Sequence, residues 1–185
     1  MKSTTRTTMP MLAAKTMAVR LGLALGLAAL ACSAHAASQS ASMTNTATVS
    51  ASCTIAATGF TTVYDAVVAN ATAAQDATAS VTTTCTNGVS VAVALGQGSN
   101  ADAGSTDAAP LRRLSSGGAT PSYLSYGLYQ DAGRSTVWGN TAGTSLALTG
   151  TGSAVTSTIY ARIPAGQIGA RAASHLDTVV ARVEF

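Results

Sequence analysis

The chain has 185 residues, with ten lysines and arginines against seven acids and a formal charge of +3. Four of those cations, both lysines among them, fall in the first 20 residues; beyond Ala36 six arginines face seven acids. A body with no lysine and no basic patch lacks the electrostatic footprint of phosphate or nucleic-acid binding, and its single histidine, His175, leaves too few ligands for a zinc site.

The first 36 residues read as a signal peptide. Lys2, Arg6, Lys15 and Arg20 precede an apolar run over 21–31, and Ala34-His35-Ala36 offers small residues at both specificity positions, so cleavage is expected between Ala36 and Ala37. An apolar run of this length is too short for a membrane anchor, which needs about 20 residues. Lipidation at Cys32 is the alternative, against which the preceding Ala29-Leu30-Ala31 places leucine off the usual position. Cleavage leaves a body sized for one domain and only two cysteines, Cys53 and Cys85. In an exported chain these are expected to form a disulfide. Closing that loop stabilises the fold by about 3.7 kcal/mol on the chain-entropy account.

Residues 37–55 are rich in Ser, Thr and Ala, yet Ala41, Met43, Ala47, Val49, Ala51, Cys53 and Ile55 recur with period two, interrupted by Asn45. An extended segment is expected there. Phe60 and Tyr64-Asp65 follow, then an alanine-rich polar stretch over 70–76 that reads as a surface loop and contains Asn70-Ala71-Thr72, a sequon in hosts that glycosylate this way. Ala79, Val81, Thr83 and Cys85 alternate before Asn87-Gly88, and Val89, Val91, Val93 and Leu95 alternate after it. That pattern predicts a β-hairpin.

Residues 96–109 read as a long loop. Gly96-Gln97-Gly98-Ser99-Asn100-Ala101 imitates a dinucleotide fingerprint, but Asp102, Gly104, Ser105 and Asp107 follow where that motif needs a helix. The aspartates have no EF-hand spacing. A strand is predicted over 123–129 with Leu124, Tyr126 and Leu128 on one face, then the polar turn Asp131-Ala132-Gly133-Arg134 and a core-packing Trp138. Residues 141–152 read as a loop. A second strand is predicted over 154–163, with Val155, Ile159, Ala161 and Ile163 inward, and a last one over 177–185, with Val179, Ala181, Val183 and Phe185 on one face. Nothing in this sequence follows to cover that last strand, so its missing neighbour is expected from another molecule. Several short alternating strands between turn-rich gaps, with no fixed repeat, indicate an all-β sandwich.

A set of motifs in order resembles the spore coat protein U family of secreted pilins, subunits of archaic chaperone–usher pili. They are Cys53-Thr54-Ile55; Phe60 with Tyr64-Asp65; Cys85-Thr86-Asn87-Gly88; Arg113-Leu114; 124–129 with Trp138-Gly139; and Ile159-Tyr160, Pro164, Gln167 and the 177–185 ending. One departure is Ala173-Ser174-His175-Leu176-Asp177, where the family usually has Gly-x-Tyr-x-Asp. The resemblance implies an incomplete immunoglobulin-like β-sandwich, completed by a donor strand from a neighbouring subunit. It implies three parts: signal peptide 1–36, donor segment 37–52 and pilin domain 53–185. The donor residues would be Ala41, Met43, Ala47 and Val49, and the groove-edge strand Val179, Ala181, Val183 and Phe185. It also implies a periplasmic chaperone, an outer-membrane usher and further pilin subunits as partners, and a pilus on the cell surface serving attachment and biofilm formation. No cofactor or metal is implied.

Two other function classes fit the sequence less well. A secreted adhesin, or a coat or matrix protein, is the alternative, although a two-domain tip adhesin would need a longer chain. An enzyme would have to build Ser-His-Asp chemistry on His175 without a Gly-x-Ser-x-Gly elbow.

Overall fold

The computed structural model describes residues 37–185; the expected signal peptide, with Cys32 and Ala36, lies outside the described residues. Residues 37–45 carry no strand and are exposed. Eight strands follow: β1 (Cys53–Thr58), β2 (Gln75–Cys85), β3 (Ser90–Leu95), β4 (Arg112–Ser115), β5 (Tyr123–Tyr129), β6 (Leu146–Thr149), β7 (Ala154–Ile163) and β8 (Ala181–Glu184). They make a five-stranded sheet in the order β1-β2-β7-β5-β4 and a three-stranded sheet in the order β6-β3-β8. All strand pairs are antiparallel.

Period two sets which faces meet. Val81, Leu124, Tyr126, Leu128, Ile159, Ala161 and Ile163 of the large sheet face Val91, Val93 and Leu95 of the small one, and Trp138 closes the core. The outer face of β2 and β7 includes Thr78, Ser80, Thr82, Thr156 and Thr158, whose hydroxyls suit a solvated surface; those of Thr82 and Thr156 lie 2.8 Å apart. Strands β5 and β7 have the bounds that the alternation predicts.

The expected hairpin over 79–95 is not one. The turn at Asn87-Gly88 is present, with Val89 N–H donating to Thr86 O and Gly88 at φ 80°. However, β2 lies between β1 and β7, and β3 lies between β6 and β8, so the turn passes the chain from one sheet to the other. The reason is physical. Two strands in one hairpin and two strands in facing sheets bury the same alternate residues, so the pattern does not separate them. The Gly88 N–H donates to Gly150 O, which ties this turn to the end of β6. Strand β6 itself lies within the stretch expected as a loop, paired beside β3 with its Leu146 and Leu148 half-buried. The last strand is shorter than expected, regular over Ala181–Glu184, and Phe185 is exposed. Residues 72–74 are an exposed loop, as expected, but Asn70 before them is buried. Its Oδ1 accepts from Asp65 N–H and its Nδ2 donates to Ala73 O, so the sequon's amide is committed to the fold.

Candidate functional site

The sandwich is closed along one side and open along the other. Between the edge strands β1 and β8 the sheets part around a cavity of about 1020 Å³. Its floor is core: Leu124, Tyr126, Leu128, Ile159 and Ile163 from the large sheet and Leu95 from the small one. Ala57 of β1 and Ala181 of β8 border the opening, and segments 58–67 and 170–179 form its wide mouth. Phe60 packs edge-on against Tyr126, ring centroids 5.6 Å apart. Val63 and Val67 on the rim are 83% and 80% exposed, so apolar surface runs out of the cavity to solvent.

Both bordering strands show an unpaired backbone to this opening. In an antiparallel pair, alternate residues bond to the partner and the rest point away. Gly96 N–H donates to Val180 O, in register with the β3–β8 pairing. The even residues of β8 therefore bond β3, and the N–H and C=O groups of Val179, Ala181 and Val183 point outward. Thr86 N–H donates to Ser52 O by the same rule, which leaves Cys53, Ile55 and Ala57 outward on β1. Among the described residues no strand pairs with either edge. The groove-edge residues Val179, Ala181 and Val183 turn half-buried side chains inward, while Phe185 stays at the surface.

The glycine loop that imitates a dinucleotide fingerprint holds the base of this strand. Gly96 and Ser99 donate backbone N–H groups to the carbonyls of Val180 and Thr178. Asp177 Oδ1 accepts from both Asn100 N and Nδ2, each at 3.1 Å, and its Oδ2 accepts the Tyr126 hydroxyl at 2.7 Å. Gly98 sits at φ 88° with the Asp177 carboxylate where a Cβ would be, so only glycine fits. Burial, and then the bond to Asp177, pushes the Tyr126 phenol above its ordinary range. His175, at the departure from the family pattern, holds the mouth. Its Nε2 lies 2.9 Å from Ser122 Oγ and its Nδ1 3.1 Å from Ala173 O. A carbonyl only accepts, so Nδ1 carries the proton that meets Ala173 O.

The closed side is held by a residue that pattern reading missed. Arg112 is 1% exposed; its Nε donates to Gly96 O and its Nη2 to the carbonyls of Leu95 and Trp138, at 2.8–2.9 Å. Desolvation lowers its pKa to about 10. Arg113, which sequence reading singled out, is instead at the surface, ion-paired with Asp102 and stacked over Tyr123. An Arg-Arg pair in a strand always puts one cation inward, and that alternation was the available signal.

Cys53 and Cys85 are opposite each other on β1 and β2, Cα atoms 4.1 Å apart, and are joined by a disulfide. This staples the groove-edge strand β1 to the body. Ala41, Met43, Ala47 and Val49 are exposed, Met43 by 80% and Val49 by 82%.

Residues 39–182 match the Spore Coat Protein U domain. The chain belongs to that family. It is 42% identical to Protein U of Myxococcus xanthus over 124 residues, which cover 66% of this chain and 68% of that protein. Its fold is similar to that in the crystal structure of the CsuC–CsuE chaperone–tip adhesion subunit pre-assembly complex from archaic chaperone-usher Csu pili of Acinetobacter baumannii. The TM-score is 0.52 at 18% identity, over 75% of this chain and 40% of that one. The all-β, immunoglobulin-like architecture of this family member is thus shared with a solved structure. Among the described residues no helix is long and apolar enough to cross a membrane.

Proposed function

We propose that this chain is a structural subunit of an extracellular chaperone–usher pilus, exported through the periplasm and assembled by donor-strand complementation. The observation that carries the reading is the open groove between β1 and β8, a cavity of about 1020 Å³ with an apolar floor, bordered by outward-pointing backbone groups. An edge of this kind recruits other strands and aggregates if left bare. A periplasmic chaperone covers it first. An outer-membrane usher then exchanges that cover for residues 41–49 of another subunit, with Ala41, Met43, Ala47 and Val49 turned into the groove. Main-chain pairing supplies much of the grip, since this donor is mostly alanine and a large buried side chain contributes only about 1.5–3 kcal/mol. The finished fibre serves surface attachment and biofilm formation. The family's description as a spore coat domain favours a second reading, an extracellular coat or matrix protein, built from the same strand exchange but without an usher.

The test is co-expression with a chaperone and usher and inspection of the surface fraction. The expected product is a ladder of polymers that withstands detergent and collapses on boiling. A chain lacking residues 37–49 should still bind the chaperone and accept a subunit, yet end every polymer it joins. Long fibres made from that truncated chain alone would overturn the reading. Polymers that form without the usher would favour the coat.

A further inference from the structure

We propose a register for the donor, resting on the reading that the groove takes residues 41–49 of a second copy: the donor runs antiparallel to β8 and the segment leading into it, with Ala41 opposite Ala181, Met43 opposite Val179 and Asn45 opposite Asp177, whose carboxylate takes the Asn45 amide.

Direction follows from the two ends of the sandwich. The chain enters β1 at Cys53, where Thr86 bonds both Ser50 and Ser52, and β8 finishes at this same end, Glu184 pairing with Ala92. The cavity mouth, formed by segments 58–67 and 170–179, is at the opposite end, where β8 begins. An antiparallel donor leads back to its own body at the mouth, so the copies stack head to tail and each entry end stays free to supply the next copy. A parallel donor would crowd its body against the end from which the acceptor's own N-terminal segment departs.

Register follows from parity, length and one polar residue. Directly opposite residues in a ladder point to the same face, so the odd donor residues go inward only if they lie opposite the odd residues of β8. Along this arm the cavity is lined from Ala170 to Ala181 and not by 182–185. With Ala41 at Ala181, residues 41–49 run along 181–173 and stay within that lining. Val49 then meets the mouth, near exposed Val63 and Val67. Asn45, the interruption in the donor's apolar face, falls at Asp177. Asp177 Oδ1 is taken by Asn100, but Oδ2 accepts only Tyr126, which leaves it one acceptor site. A two-residue slip would set Asn45 opposite Val179, which has no polar side chain, or opposite His175, whose ring nitrogens already meet Ser122 and Ala173, and an unpaired buried amide is costly. Asn45 therefore sets the register, as a single polar residue does in an apolar coiled-coil seam.

Cysteine pairs read this register in assembled fibres. Directly opposite Cα atoms are about 5.5 Å apart, within disulfide reach. Mild oxidation of fibres carrying Ala41→Cys with Ala181→Cys should link neighbouring copies, mapped by mass spectrometry apart from Cys53–Cys85. Fibres carrying Met43→Cys with Ala181→Cys, a two-residue slip, should link poorly, and adding Asn45→Leu should raise that slipped linkage. Linkage of the slipped pair in chains that keep Asn45, or no effect of Asn45→Leu, overturns the register and leaves the donor reading standing. Fibres in which neither pair links overturn the register and the donor reading together.

Discussion

The two sides of this sandwich are built from the same strands and end differently. On the closed side, Trp138 is fully buried with its Nε1 donating to Val93 O at 2.8 Å, and Arg112 crosses between the sheets to three carbonyls. On the open side, Leu95, Leu128 and Ile163 floor a cavity instead of meeting a lid. The difference teaches where the stability of the isolated chain resides. The closed side is self-sufficient, and the open side holds its shape by staples: the disulfide on β1, the 96–100 loop on β8 and His175 at the mouth.

Breaking the closed side should cost most. Trp138→Ala removes the largest buried side chain and the Val93 bond, and should destabilise by about 3–5 kcal/mol. Denaturant unfolding of the purified chain measures it. A loss no greater than that of a surface substitution would show that the core is centred elsewhere. The paired change Cys53→Ser with Cys85→Ser attacks the open side and should cost roughly 3.7 kcal/mol by loop closure. It should also free β1, so that proteolysis cuts first within 46–60. First cuts elsewhere would separate the disulfide from the groove.

Filling the groove sharpens the comparison from the other direction. Joining residues 37–49 after Phe185 through a flexible linker makes the donor intramolecular at high effective concentration. The linked chain should melt higher. Met43→Asp within the added segment should cancel most of that gain, because it drives an unpaired charge into an apolar cavity. The same substitution in the native N-terminal segment should leave the melting temperature of the unlinked monomer unchanged. A linked chain that melts with the unlinked one would mean that the opening closes in some other way.

Much of the closed side was legible in the sequence. The bounds of β5 and β7, the buried alternation of β2 and β3 and the core position of Trp138 follow from period two and aromatic bulk. Sheet membership was not legible, because Asn87-Gly88 makes the same tight turn whether the next strand lies beside or across. Four-residue β6 and β4 carry too few alternations to register, and Arg112 hid behind its neighbour Arg113. On the open side, the sequence offered the inward residues of β8 and the alternating N-terminal segment. It did not offer the cavity, whose mouth depends on loops 58–67 and 170–177 meeting across more than a hundred residues. Tyr64 ties the first loop to the segment just before the second, its hydroxyl donating to Pro164 O at 2.7 Å and accepting from Gln167 N–H.

The smallest expected effect is on acid stability, and it distinguishes the two sides by which carboxylates hold them. Asp131 accepts from the N–H groups of Thr136 and Ser135 in the turn after β5, and this lowers its pKa from 3.8 to about 2. Asp76, on the outer face of β2, is lowered chiefly by its hydrogen bonds from Arg162. Asp65, on the groove rim, is lowered by the N–H groups of Val68 and Val67. A carboxylate with a depressed folded-state pKa adds stability above its unfolded value and loses it as pH falls through the folded one. The melting temperature should therefore hold from neutral pH to about 4 and decline between there and about 2. These groups are exposed and screened, so the decline should be modest. Asp131→Ala should lower the plateau and flatten the decline, whereas Asp65→Ala should also loosen the rim and speed hydrogen exchange at 66–69 without touching β5. A melting temperature that stays level down to pH 2, or rises there, would show that these turns do not depend on ionised carboxylates.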